Sequence, residues 1–200
     1  MAGLNARAGA ALVRMRLRDS IDSRRQLLES ACVDQAVAVA AKIVEALSAS
    51  GKVLLFGNGG SAMDAGHLAA ELLGRFARDR PALPAASLAD NTAALTAIGN
   101  DYDYGEVFAR QVRGLGRPGD VLIGLTTSGD SENVVRALAH GRELGMFTVA
   151  FTGSKGGRVD EVADMCVKVP TDDTARVQEA CLHLGHSICE LVESAMFPPQ

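Results

Sequence analysis

At 200 residues, 48% hydrophobic and 22% charged, the chain can bury one sizeable core and is short for two, so a single domain is expected. A net charge of −4 without a basic run argues against nucleic acid as the main partner. No apolar stretch approaches the ~18 residues of a membrane span, and Met1-Ala2-Gly3-Leu4 does not lead from charge into an apolar segment; a cytosolic protein is expected. Cys32, Cys166, Cys181 and Cys189 lack CxxC spacing and sit in apolar patterns, which reads as small buried hydrophobes.

From about Leu12 to Leu47 the pattern is helical, arginine-rich first and Ala/Val-rich from Val33, giving two helices before the first strand. The first is too polar for a core yet carries Leu12, Met15, Ile21 and Leu28. It suits either packing across a neighbouring subunit or a solvated arm. The layout expected is an arm over 1–32 and a domain over 33–200. After Ser50-Gly51-Lys52 the apolar run Val53 to Phe56 meets Gly57-Asn58-Gly59-Gly60-Ser61 and a helical stretch, Ala62 to Phe76. A buried parallel strand, a tight turn and a helix are predicted, with bare backbone brought close to a ligand. His67 and Glu71, four residues apart, share one face of that helix.

A loop through Pro81 and Pro84 leads to a short strand, Ala85 to Leu88, and Asp90-Asn91-Thr92 offers a helix cap. Gly99-Asn100-Asp101-Tyr102-Asp103-Tyr104-Gly105 reads as a polar turn between helical runs, suited to sugar hydroxyls or to capping. The strand Val121 to Leu125 runs into Thr126-Thr127-Ser128-Gly129-Asp130-Ser131 and a helix to about Leu144. Four hydroxyls and a glycine at a helix start can surround a phosphate, whereas a cap needs only Ser131. A fourth strand spans Met146 to Thr152, a glycine-rich loop Gly153 to Gly157, and a fifth strand Met165 to Pro170. One long helix from Asp173-Thr174 to Met196 ends the chain. On it Gln178 and His186 are eight residues apart, about 80° around the axis. Alternating strands and helices imply a doubly wound α/β sheet of five parallel strands with helices on both faces.

Gly57-Asn58-Gly59-Gly60-Ser61, His67-x-x-x-Glu71, Gly99-Asn100-Asp101, Thr126 to Ser131, and Arg176-Val177-Gln178-Glu179 with His186 together resemble the sugar isomerase (SIS) domain family over roughly Ala40 to Phe197. The resemblance implies a flavodoxin-like three-layer sandwich and a homotetramer with active sites between subunits. It also implies conversion of sedoheptulose 7-phosphate to D-glycero-D-manno-heptose 7-phosphate through an enediol. It makes Glu71 the base and His186 its partner acid, and assembles one zinc per subunit on His67, Glu71, Gln178 and His186. It gives the sugar to Asn58, Gly59, Gly60, Ser61, Glu71, Asn100, Asp101 and Gln178, and the phosphate to Thr126, Thr127, Ser128 and Ser131. Thr126 stands where serine is usual, Cys181 where a histidine often lies, and Ala175 where an aspartate sometimes precedes. Two rivals remain. Gly57-x-Gly59-x-x-Ala62 fits a dinucleotide fingerprint but lacks its acidic residue about 20 residues on. A non-enzymatic adaptor of the same family, binding a replication initiator or another protein, has no need of Glu71 with His186.

Overall fold

The computed structural model describes residues 5–198, so Met1 to Leu4, read above for a targeting signal, lie outside the described residues. Helix α1 (Ala6–Leu28) begins where the Asn5 side chain accepts from Arg7 N and Ala8 N, and α2 (Cys32–Ser48) follows. The other elements are β1 (Val53–Gly57), α3 (Gly60–Leu73), β2 (Ala85–Ser87), α4 (Thr92–Asp101), α5 (Ala109–Leu115), β3 (Val121–Leu125), α6 (Glu132–Glu143), β4 (Phe147–Thr152), α7 (Val159–Val162), β5 (Met165–Lys168) and α8 (Thr174–Met196).

The five strands are all parallel in the order β2-β1-β3-β4-β5. This is the doubly wound, flavodoxin-like order expected above. The chain leaves β1 to one side for β2 and returns to the other side for β3, which puts the switch point between β1 and β3. Both motif loops start at that edge, because Gly57 pairs with Leu125 at the carboxyl ends of these two strands.

Strand alternation divides the core into two layers. Val53, Leu55, Ile123, Val149 and Phe151 pack under α2, α3 and α8, while Leu54, Phe56, Leu122 and Ala150 pack under α5, α6 and α7. α1 buries only Leu27. It is tied to α8 by Ser20 Oγ donating to Glu179 at 2.7 Å and by Arg176 donating to the Arg16 carbonyl at 2.9 Å.

α3 and α8 run side by side in the same direction, with Gly60 against Gln178, Leu68 against Gly185 and Phe76 against Glu193. Gly185 allows this approach, since a Cβ there would lie 2.5 Å from Leu68 Cδ1. Further along, buried Glu193 accepts from Phe76 N, Ala77 N and Arg78 N at 3.1, 3.0 and 2.7 Å and from Arg80 Nε at 2.9 Å. Arg80 in turn donates to the carbonyls of Glu71 and Leu72 at 2.8 and 2.9 Å, so the carboxyl end of α3 is fixed to α8.

One expected turn is placed differently. Gly99, Asn100 and Asp101 form the last turn of α4, and a 3-10 turn at Tyr104–Glu106 follows. One glycine costs about 1 kcal/mol inside a helix, which does not stop a helix already capped by Asn91 accepting from Ala94 N.

Candidate functional site at the switch point and along the α3–α8 seam

The turn after β1 is built by glycines. Gly59 has φ +56°, and a Cβ on Gly57 would stand 2.8 Å from both the Leu125 carbonyl and Ser61 Cβ. Gly60 lies beneath the Gln178 side chain, since a Cβ there would come within 2.4 Å of Gln178 Nε2. A pyrophosphate approaching this turn, as the dinucleotide fingerprint requires, would need the place that the Gln178 amide holds.

Gln178 therefore sits at the carboxyl ends of the strands, in a small pocket with Ser61, Asp64, Thr126 and Thr127. Asp64 was not singled out by the sequence, where it is one polar residue in an amphipathic helix. Its Oδ2 is buried with no hydrogen-bond partner among the described residues, and burial pushes its carboxyl up, against the pull of His67.

In the loop after β3, Thr126 is buried, Thr127 and Ser131 are half-buried and Ser128 is exposed. Ser131 occupies the N-cap position of α6 but makes no side-chain cap bond; its Oγ lies 3.3 Å from Thr126 Oγ1. Capping thus leaves the hydroxyl cluster unexplained. Gly129, at φ +72°, packs on the glycine-rich loop after β4, where a Cβ would meet the Gly156 carbonyl at 2.2 Å. The carboxylate at this helix start, Glu132, is held by Arg158 and Arg136, which keep it below the usual range and offset its repulsion of an anion.

His67, Glu71 and His186 meet in the seam farther along α3 and α8. Their ligand atoms lie within 4.8 Å of one another; His67 Nε2 stands 2.8 Å from His186 Nε2 and 3.3 Å from Glu71 Oε1. Burial and the neighbouring His67 push His186 down, which leaves a ring nitrogen lone pair free to accept or coordinate near neutral pH. Donors that share a tetrahedral zinc at ~2.1 Å stand about 3.3 Å apart, so two imidazoles and a carboxylate at these separations fit a small divalent cation. Gln178 is over Gly60, seven residues or roughly 10 Å of helix rise before His67. Burial pushes the thiols of Cys166, Cys181 and Cys189 up to about 12.

Asn58 pairs with the buried Asn133 and accepts from Tyr104, two partners that no sequence spacing signals. Asn100 and Asp101 are exposed at the end of α4 and bond each other at 2.9 Å.

A family model described as the SIS domain matches residues 19–153. A phosphoheptose isomerase of Roseiflexus sp. is 49% identical over 178 residues, covering 89% of this chain and 90% of the relative. One from Aquifex aeolicus is 55% identical over 159 residues, 80% of this chain and 83% of the relative. Among solved structures, phosphoheptose isomerase from Neisseria gonorrhoeae superposes with TM-score 0.87 at 40% identity, over 92% of this chain and 98% of the other. The Francisella tularensis enzyme gives 0.89 at 34%, over 93% and 98%.

Proposed function

The chain belongs to the SIS-domain family, and on that premise we propose that it works as a phosphoheptose isomerase, converting sedoheptulose 7-phosphate to D-glycero-D-manno-heptose 7-phosphate. The observation that carries the reading is the meeting of Glu71 with two imidazoles in the seam whose upper end holds Gln178 and faces the hydroxyl loop.

Thr126, Thr127, Ser128 and Ser131 surround the phosphate, with Gly129 keeping the loop low enough for backbone N–H groups to share in binding. Asn58, Gly59, Gly60, Ser61, Asn100, Asp101 and Gln178 contact the sugar. Glu71 carries the proton between C1 and C2, and His186 serves the adjoining oxygens, so the enediol forms without a free charge on either. Zinc is the metal that His67, Glu71 and His186 would hold, with Gln178 as fourth donor only if its amide moves down the seam; when bound it supplies Lewis acidity toward a carbonyl oxygen.

The protein acts in the cytoplasm as a homotetramer. None of its described helices is long and apolar enough to cross a membrane. Leu28 at 71% exposure and Val37 at 53% line a groove of about 400 Å³ between α1, α2 and α8, where another subunit would bury them. We assign the arm over 1–32 an interface role ahead of the SIS domain over 33–200, a reading supported by the exposed apolar groove.

Metal analysis tests the zinc assignment: wild type should carry about one zinc per chain, and His67→Ala or His186→Ala should each lose it, because removing one donor leaves an open shell. A fully active wild type free of metal would remove zinc and leave the acid–base pair. The phosphate assignment has its own test. Ser128→Ala with Ser131→Ala removes two donors worth roughly 0.5–1.5 kcal/mol each, so KM should rise more than kcat falls, and heat protection by inorganic phosphate should vanish. An unchanged KM would contradict it.

A further inference from the structure

Asn58 Nδ2 donates to Asn133 Oδ1 at 2.9 Å while Asn133 Nδ2 donates back to Asn58 Oδ1 at 2.9 Å, a closed pair of amides. Tyr104 Oη donates to the same Asn58 Oδ1 at 3.2 Å. An amide carbonyl has two lone pairs and an amide nitrogen two hydrogens. Three of the four hydrogen-bonding positions of the Asn58 amide are thus occupied, which leaves one for a ligand. Asn133 is 3% exposed in the first turn of α6, and the hydrogen bonds of its amide run to Asn58. An amide buried there with an apolar neighbour instead would cost more than the pair contributes.

We infer that Asn133, assisted by Tyr104, is a positioning residue that locks the Asn58 amide in place beside the sugar. The inference rests on the reading of Asn58 as a sugar contact. An unlocked asparagine loses rotamer freedom when a polyol binds, whereas one already held by two partners loses less. The three residues come from three places, the turn after β1, the 3-10 turn and α6, so the lock also couples the segment after α4 to the glycine turn.

Three variants and one double variant decide it, with steady-state kinetics on sedoheptulose 7-phosphate and heat protection by inorganic phosphate as readouts. Asn133→Asp keeps the shape and the acceptor but removes the donor to Asn58 Oδ1. Its kcat/KM should fall on the order of tenfold, the loss of one well-made hydrogen bond. Tyr104→Phe, at a residue 64% exposed and therefore safe for folding, should fall two- to threefold. Protection by phosphate should persist in both, because the hydroxyl loop is untouched. Asn58→Ala should lose at least as much as Asn133→Asp, and adding Tyr104→Phe to Asn58→Ala should change nothing further, since both act through one amide.

Wild-type kcat/KM in Asn133→Asp and Tyr104→Phe, alongside a damaged Asn58→Ala, would overturn the lock and leave Asn58 as a sugar contact. Equal loss of phosphate protection would also overturn it, by moving the effect of Asn133 to the phosphate loop. A wild-type Asn58→Ala would instead remove the sugar-contact reading beneath it. Should Asn133→Asp fail to fold, the Tyr104→Phe pair with Asn58→Ala decides the question alone, additive losses counting against the lock.

Discussion

Replacing Glu71 by Gln should lower kcat by about 10²-fold or more, the usual cost of deleting a general base, equivalent to roughly 2.7 kcal/mol of barrier. The amide keeps the shape and one oxygen of the carboxylate but cannot take a proton at neutral pH. Folding should survive, because the Glu71 backbone is held separately by Arg80 donating to its carbonyl at 2.8 Å. Zinc content measured on the same sample separates two roles for one side chain. Loss of turnover with metal retained marks the base, whereas parallel loss of both shows that the same carboxylate also holds the metal. Near wild-type turnover would mean that another group moves the proton.

The largest effect on stability is expected at Glu193. Its carboxylate and the Arg80 guanidinium are each 1% exposed and 2.9 Å apart, and three backbone N–H groups complete the carboxylate's shell. Glu193→Ala would leave the buried Arg80 cation without its counter-charge and three backbone N–H groups without their acceptor, which costs about 3–5 kcal/mol. That is a large share of the stability of an ordinary domain. Chemical denaturation read by circular dichroism should show the midpoint falling with an unchanged slope. Burial alone would raise the Glu193 carboxyl, but the backbone donors of Phe76, Ala77 and Arg78 together with Arg80 outweigh it and hold the group below its ordinary 4.5. A depressed folded value means that the stabilisation is complete above about pH 4.5 and is lost as pH falls through the folded value. The variant should therefore lack the part of the acid sensitivity that wild type shows below that point. A loss under 1 kcal/mol would contradict this account of how the end of α3 is held.

How much of this was legible beforehand follows from the range of the interactions. Each strand is a short apolar run ended by glycines, hydroxyls or proline. Those local signals located all five strands, and the placement of the two glycine and hydroxyl loops at strand ends followed from the parallel sheet. His67 with Glu71 was legible because four residues along a helix define one face. The partnership of that pair with His186 came only through family resemblance. In the fold it depends on α8 lying parallel to α3 in one register, set by Gly185 beneath Leu68 and by Glu193 against Phe76 to Arg80. The same register puts Gln178 against Gly60, a separation along the seam that an 80° estimate on an isolated helix does not reveal. Asn133 and Asp64 gave no signal and Tyr104 was marked only as part of a polar turn, since a polar residue in an amphipathic helix or turn looks the same whether it faces solvent or the interior, and Asn58 lies 75 residues from Asn133 and 46 from Tyr104. The α7 turn of four residues was too short for periodicity to mark.

The central claim is proton transfer between C1 and C2 of a heptulose phosphate, and one measurement addresses it directly. The protein is incubated with sedoheptulose 7-phosphate in deuterium oxide, and NMR follows both the aldose signals and deuterium at the carbon next to the carbonyl. Aldose should form with solvent deuterium incorporated at C2, and both should be lost together in Glu71→Gln. A wild-type protein that binds the sugar phosphate yet forms no aldose and exchanges no deuterium would contradict this and favour the adaptor reading.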